Sequence, residues 1–333
     1  MRLTCTLQRS RCVFLLPLLA LLAAPAARSF ELLPGGVPPT GPSAAAWLVR
    51  HGAPDAAVAS ELGVILLHTG SWATPEMHKC LKLLAVNVAP TTPLRTYIFH
   101  REAPPAIVRA ALAALPTLRP TLVPLADADW RLPAGAHLEK AAWTPHFTRF
   151  GEEYRAMGHW RLTFPFEFAR HVGHRSILFI DHDSEVLAPP PGNLAADLSA
   201  EGIDLAYRTL VEDPMIGKGL PELAGYFIES NNLQPAQLYG ECVPPNAEGL
   251  HTPRGDGTGW RARVPYGNFV VVSLDWWFRA DVQRFLNLCL FTGDHIRHRW
   301  NEQQVIGMLR ALFVPPEREL RFNFSYKHGG AFM

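Results

Sequence analysis

Two carboxylates one residue apart follow an unbroken apolar run. Ile177-Leu178-Phe179-Ile180 leads directly into Asp181-His182-Asp183. The run has the length and character of a buried strand. Ionised acids this close repel, and each raises the other's pKa unless a cation lies between them. Carboxylate oxygens suit Mg²⁺ or Mn²⁺, ions that bridge protein acids and diphosphate oxygens. The same residues also fit a turn with a capping Asp and a solvated loop, and spacing alone leaves both readings open.

Strands and helices that could position such a pair alternate along the chain. Residues 64–68 read as a buried strand ending in His-Thr-Gly, and 75–88 as a helix with Met77, Leu81, Leu84 and Val88 on one face. A second strand at 96–99, a helix at 106–115 closed by Pro116 and a third strand at 121–125 follow. Residues 152–171 are helical in pattern, and Pro165 is expected to kink or split them. Ser176–Ile180, 204–207 and the β-branched run 268–274 read as strands. Residues 279–291 and Glu302–Phe313 read as amphipathic helices, and 320–324 as a last strand. The alternation predicts an α/β fold with a largely parallel sheet. Ligands of such sheets lie at the carboxyl ends of strands. That rule singles out Thr69 and Gly70 as well as Asp181.

Composition narrows the partners and the compartment. The 333 residues carry 31 Lys and Arg against 30 Asp and Glu, a formal net charge of +1, so no overall attraction to nucleic acid is expected. Apolar residues at 48% and charged ones at 18% exclude disorder along the whole chain. Arg2, Arg9 and Arg11 precede an apolar run at 13–24, and Ala24, Ala26 and Ala27 follow, which is the layout of a secretory signal. The run is short for a bilayer span, which needs about 17–25 residues. Residues 1–29 therefore read as a signal peptide or as the signal-anchor of a type II membrane protein, the only expected membrane contact. The Pro/Gly/Ala-rich stretch 30–54 reads as a stem or linker, and 55–333 as the folded domain. The secretory pathway follows, as a Golgi lumenal or a secreted protein. Cys80, Cys242 and Cys289 leave one disulfide plus one free thiol open, and their spacing gives no zinc cluster. The glycine-rich stretch 255–259 follows no strand and reads as a surface loop. His51, His68, His100 and His146 are scattered and read as surface or satisfied interior histidines.

An ordered set of short motifs adds a family. Glu153-Tyr154-Arg155-Ala156-Met157, the acid-x-acid after a strand, Gly267-Asn268-Phe269, Leu274-Asp275-Trp276-Trp277, Arg299-Trp300-Asn301-Glu302 and Tyr326-Lys327-His328 occur in that order. The set resembles glycosyltransferase family 15, the fungal-type α-1,2-mannosyltransferases, whose pattern runs YRxMCR, acid-Pro-Asp, NFE, LDFW, RWGDAPV and YHH. The likeness covers about 60–333. It implies a GT-A fold, a Rossmann-like α/β/α sandwich with a mostly parallel mixed sheet. It also implies a nucleotide-sugar donor, GDP-mannose first, a divalent cation, Mn²⁺ or Mg²⁺, and a glycan or glycoprotein acceptor. Asp181 and Asp183 match the family's metal motif, and His328 falls on the segment that supplies the other protein ligand. Tyr154 and Arg155 match its Tyr-Arg beside the nucleotide. Thr69, Gly70 and Asp181 complete the expected nucleotide-sugar site.

Three positions depart from the family. The Glu of Asn-Phe-Glu is Val270, the Arg before the acidic motif falls at Phe179, and the Gly-Asp of RWGDAPV is Asn301-Glu302. A covalent glycosyl-enzyme at the family position is therefore not available. Glu302 becomes the candidate for orienting the acceptor or stabilising an oxocarbenium-like state, and its Asn-Glu-Gln-Gln setting resembles the acid-Gln element of other retaining GT-A enzymes. It also fits a helix N-terminal carboxylate favoured by the dipole. Asp275 and Asn268 are the other catalytic candidates. Trp276 and Trp277 fit core packing or an acceptor groove. The expected activity is metal-dependent, retaining transfer of a hexose. A UDP-sugar transferase on the same fold and a degenerate glycan-binding relative are the alternatives.

Overall fold

The computed structural model describes residues 43–52, 54, 61–72, 74–133, 151–213, 219–242 and 260–333. The targeting segment, the stem up to residue 42, His146 and the glycine-rich stretch 255–259 lie outside the described residues. Among the described residues no helix is long and apolar enough to cross a membrane.

The first half of the chain builds α1 (Ala44–His51), β1 (Leu62–His68), α2 (Pro75–Asn87), β2 (Leu94–His100), α3 (Ala106–Ala113), β3 (Thr121–Pro124), α4 (Glu152–Val172), β4 (Ser176–Ile180) and β5 (Ser184–Val186). Then come α5 (Ala196–Ala200), β6 (Leu205–Tyr207), β7 (Leu210–Glu212), α6 (Leu220–Asn231), α7 (Leu238–Glu241), β8 (Arg263–Pro265) and β9 (Phe269–Ser273). Helices α8 (Leu274–Trp277), α9 (Ala280–Thr292), α10 (Asp294–Arg297) and α11 (Glu302–Phe313) precede the strands β10 (Glu319–Arg321), β11 (Tyr326–His328) and β12 (Ala331–Phe332).

Seven strands form the central sheet in the order β10-β6-β9-β4-β1-β2-β3. β1 pairs in parallel with β2 and β4, whereas β9 runs antiparallel to both β4 and β6. Every residue of β1 is buried, because helices cover both faces of the sheet. Ile65 and Leu67 join the cluster under α4, α9 and α11, while Val64 and Leu66 pack with Leu81 and Leu84 of α2. This is the α/β/α sandwich with a mostly parallel mixed sheet that the sequence predicts.

Several elements differ from the sequence reading. α4 runs unbroken through Pro165. A proline inside a helix costs about 3 kcal/mol. Phe164, Phe166 and Phe168 around it are fully buried, and each returns about 1.5–3 kcal/mol. Phe166 also stacks on Trp277 with ring centroids 3.6 Å apart, and Trp276 is likewise buried, so both tryptophans serve the core. The end of the stretch read as a stem is helix α1, capped by the Ser43 hydroxyl and docked through Trp47. Residues 44–51, read as part of the stem, are therefore helix packed on the folded domain. Cys80, Cys242 and Cys289 are all free thiols, so no disulfide joins them.

Candidate active site

The acidic pair lies where the strand-end rule puts it, at the carboxyl edge of β4. The third member comes from the chain's end. Phe322, Phe324 and Tyr326 alternate at period two, and all three are buried with their rings 5.1–5.9 Å from that of Phe269. This apolar row fixes the register of β11 against β5, with His328 opposite Ser184. The Tyr326 hydroxyl donates to the Asn268 carbonyl at 2.8 Å and bonds the Ser184 hydroxyl at 2.7 Å. His328 Nε2 consequently lies 3.3 Å from Asp181 Oδ2 and 3.2 Å from Asp183 Oδ1.

Ligand-type atoms of Asp181, Asp183 and His328 all fall within 4.8 Å of one another. Two hard oxygens and one imidazole suit Mn²⁺ or Mg²⁺. The electrostatics fit as well. Burial disfavours the imidazolium, yet the two carboxylates raise the His328 pKa to about 9. A positive charge is thus what this site favours.

Arg161 ties the pair to the rest of the pocket. It lies on α4, which is buried on nearly all sides, so its charge requires partners. One guanidinium nitrogen bonds Asp181 Oδ1, and the other donates to Glu302 Oε1 at 2.7 Å. Burial would raise the Asp181 pKa, but Arg161 and His328 hold it well below the usual carboxylate range. Glu302 opens α11, capped by the Asn301 side chain, and its Oε2 is buried without a hydrogen-bond partner among the described residues. A Cβ on Gly267 would stand 3.1 Å from Glu302 Oε1, so the glycine eases the close approach of that carboxylate to the segment before β9.

The remaining sequence candidates divide. Thr69 and Gly70 follow β1 at the same sheet edge and are exposed. Asn268 precedes Phe269, which pairs with Ile180, and both of its amide atoms are buried without partners among the described residues. Tyr154 lies near Glu302 and Arg299. Its ring lies 5.2 Å from the Arg299 guanidinium, and burial and the Glu302 carboxylate push its phenol pKa up. The Arg155 guanidinium donates to the carbonyls of Ile296 and Arg297 and ties α10 to α4. Asp275 lies apart from the acidic pair. Antiparallel β9 pairs Ser273 with Ser176, so Asp275 is exposed beyond the opposite edge of the sheet.

Some residues were not anticipated. Arg161 is one, and its signal was a lone cation inside the aromatic run of α4. Tyr266 is another; its ring packs edge-on to His328 at 5.4 Å. His68 and His100, read as scattered, are register partners ending β1 and β2, and Trp72 contacts both rings. His68 also lies 5.9 Å from His182, ring to ring. Two family departures prove to be one feature. Phe179 and Val270 are direct cross-strand partners, so an apolar pair occupies the place of the family's Arg and Glu.

No family model matches the chain, and no curated protein matches it in sequence. Solved structures do match its shape. The mannosyltransferase Ktr4p from S. cerevisiae, in complex with GDP, superposes with a TM-score of 0.67 at 12% identity, covering 82% of this chain and 72% of that one. The core-mannan synthase A (CmsA/Ktr4) from Aspergillus fumigatus, in its Mn/GDP form, gives a TM-score of 0.68 at 13% identity, covering 90% of this chain and 84% of that one. The chain has the GT-A glycosyltransferase fold.

Proposed function

We propose that this chain is a metal-dependent, retaining glycosyltransferase that moves a hexose from a nucleotide diphosphate sugar to a glycan or glycoprotein. The observation that carries the reading is the convergence of Asp181, Asp183 and His328 at the end of β4, tied through Arg161 to Glu302. Mannose from GDP-mannose is the favoured donor. The order of motifs supports it, as do two neighbours described as mannosyltransferase or mannan synthase and holding GDP. Asp181, Asp183 and His328 would hold the cation, Mn²⁺ or Mg²⁺, which supplies neutralisation of the charge developing on the leaving diphosphate. Arg161 fixes the distance between that diphosphate-binding edge and Glu302. The Glu302 carboxylate stabilises positive charge at the anomeric carbon. Val270 offers no nucleophile, so retention proceeds by front-face attack, in which the departing diphosphate takes the acceptor hydroxyl's proton.

The apolar Phe179–Val270 pair favours a second reading, a UDP-sugar donor on the same fold. Calorimetry separates the two. GDP and UDP are titrated into the protein with and without Mn²⁺, beside Asp183→Ala. Metal-dependent GDP binding that the variant loses is expected. UDP binding instead moves the donor to the second reading, and binding of neither nucleotide overturns the transferase. Entry into the secretory pathway, through a signal peptide or a Golgi signal-anchor, is part of the proposal. The single sequon at exposed Asn323 checks it. The full chain made in animal cells is expected to lose mass on treatment with an N-glycosidase, whereas Asn323→Gln is not.

A further inference from the structure

The proposed reaction needs a second sugar site, and the flank opposite Thr69 and Gly70 contains an unassigned carboxylate. In the sheet, β1 and β2 lie on one side of β4, and β9 and β6 on the other. A nucleoside held beside Thr69 and Gly70 occupies the first side, and the cation site at β4 marks the diphosphate. The sugars then lie toward β9 and β6. From that side the ribbon β7–β8 extends, and Asp213 follows directly after β7.

Asp213 is held in place by two hydrogen bonds. Its backbone N–H donates to the Ala262 carbonyl at 3.0 Å, and the Gln304 amide donates to its Oδ2 at 3.0 Å. Gln304 is wholly buried two residues beyond Glu302, and its own Oε1 has no hydrogen-bond partner among the described residues. The Gln304 side chain thus holds the Asp213 carboxylate from inside the core. Arg299 lies within electrostatic reach of Asp213 while covering the Tyr154 ring. Tyr266, whose ring packs on His328, bonds Thr209 at one end of the ribbon, and Asp213 bonds Ala262 at the other, so the ribbon runs from the cation site to Asp213. A half-buried carboxylate on the ribbon that also carries the Tyr266 ring matches a pyranose, which offers hydroxyls to the acid and an apolar face to the ring.

We propose that Asp213, positioned by Gln304, binds a hydroxyl of the acceptor sugar. The proposal rests on the transferase reading for which side is the acceptor's. Saturation-transfer NMR tests it with four probes: methyl α-D-mannoside, methyl β-D-galactoside, methyl β-D-glucoside and methyl β-D-xyloside. Each is added to wild type and to Asp213→Asn with Mn²⁺ and GDP or UDP, and again without nucleotide. At least one glycoside is expected to bind wild type. Asp213→Asn is expected to weaken it by about tenfold or more, the worth of a hydrogen bond to a charged group, with nucleotide binding and melting temperature unchanged. Equal glycoside binding in both proteins overturns the proposal, as does a wild type that binds no glycoside. Parallel loss of nucleotide binding moves Asp213 to the donor half and overturns it too. Should the amide disturb folding, Asp213→Glu keeps the charge, displaces the carboxylate, and is expected to weaken the same glycoside. The two readings fail separately: absence of nucleotide binding in wild type defeats the transferase, while the nucleotide-free comparison still decides whether Asp213 binds sugar.

Discussion

Arg161 and His328 do related work at the acidic edge of β4, one as a fixed charge and one as a titrating charge. Arg161 is buried between Asp181 and Glu302, an arrangement whose desolvation is costly and whose value is geometric, since it locks two acids at a set separation. His328 binds the same Asp181 from the other side. Its folded pKa of about 9 lies above the ordinary 6.5. In the metal-free protein the resulting stabilisation is complete below about pH 6.5 and is lost as pH rises through about 9. A cation needs the neutral imidazole, so its binding expels that proton and its affinity climbs through the same window. The expected result is a metal-free melting temperature that falls between pH 6.5 and 9 more steeply in wild type than in His328→Gln, with Mn²⁺ affinity rising over that range. A Mn²⁺ affinity independent of pH there counts against His328 as a ligand. At this scale the sequence was partly legible. Asp181 and Asp183 stood out because two acids after an apolar strand need an explanation. Asp275 misled because a motif does not state which end of an antiparallel strand its residue occupies. Arg161 was not singled out, because only the packing around α4 decides which cation turns to carbonyls, as Arg155 does, and which to carboxylates.

α11 and the tail strand β11 deliver the two halves of the site, and they were unequally visible. α11 has a clear apolar period and a capping Asn, so its bounds as read match those observed. β11 was missed, although the row Phe322, Phe324, Tyr326 carried its period. Three residues are too short for a strand signal, and its partner β5 is equally short. The placement of α11 depends on a glycine. A Cβ on Gly307 would stand 2.5 Å from Val264 Cγ1 and 3.0 Å from the Arg263 carbonyl, both on β8. Replacing glycine by alanine in a helix gains about 1 kcal/mol from propensity. Overpacking costs about 1–3 kcal/mol, and contact with a carbonyl leaves little room to relax. Gly307→Ala is therefore expected to be destabilising in urea unfolding. Its displacement of α11 is also expected to weaken Mn²⁺-dependent nucleotide binding, because Glu302 opens that helix and Tyr266 follows β8. Unchanged or greater stability would show that the two elements are not in close contact.

The molecule as a whole is a sheet covered on both faces, and its central strands were legible because full burial leaves continuous apolar runs. The β7–β8 ribbon was not: each strand is three residues long, and their pairing joins segments distant in sequence. Helix α1 was hidden for a different reason: a Pro/Gly/Ala-rich composition masks about two well-anchored turns. In α1 the Trp47 indole is buried, donates to the Pro124 carbonyl at 2.7 Å and meets Phe168 edge-on at 5.6 Å. Arg50 pairs with the buried carboxylate of Asp129, and the Ala44 amide donates to Glu167 at 3.3 Å. These contacts join α1 to both β3 and α4, the layer that carries Tyr154 and Arg161. Removing residues before Asp55 would open a cavity of tryptophan size and leave Asp129 without its cation. The first effect alone is worth about 3–5 kcal/mol. A chain spanning 43–333 is thus expected to unfold at distinctly higher urea than one spanning 55–333, with Trp47→Ala in the longer chain falling between them. Equal midpoints for the two lengths would return 43–54 to the stem. A lower midpoint accompanied by weaker metal-dependent nucleotide binding would show that α1 holds the layer from which Arg161 reaches Asp181.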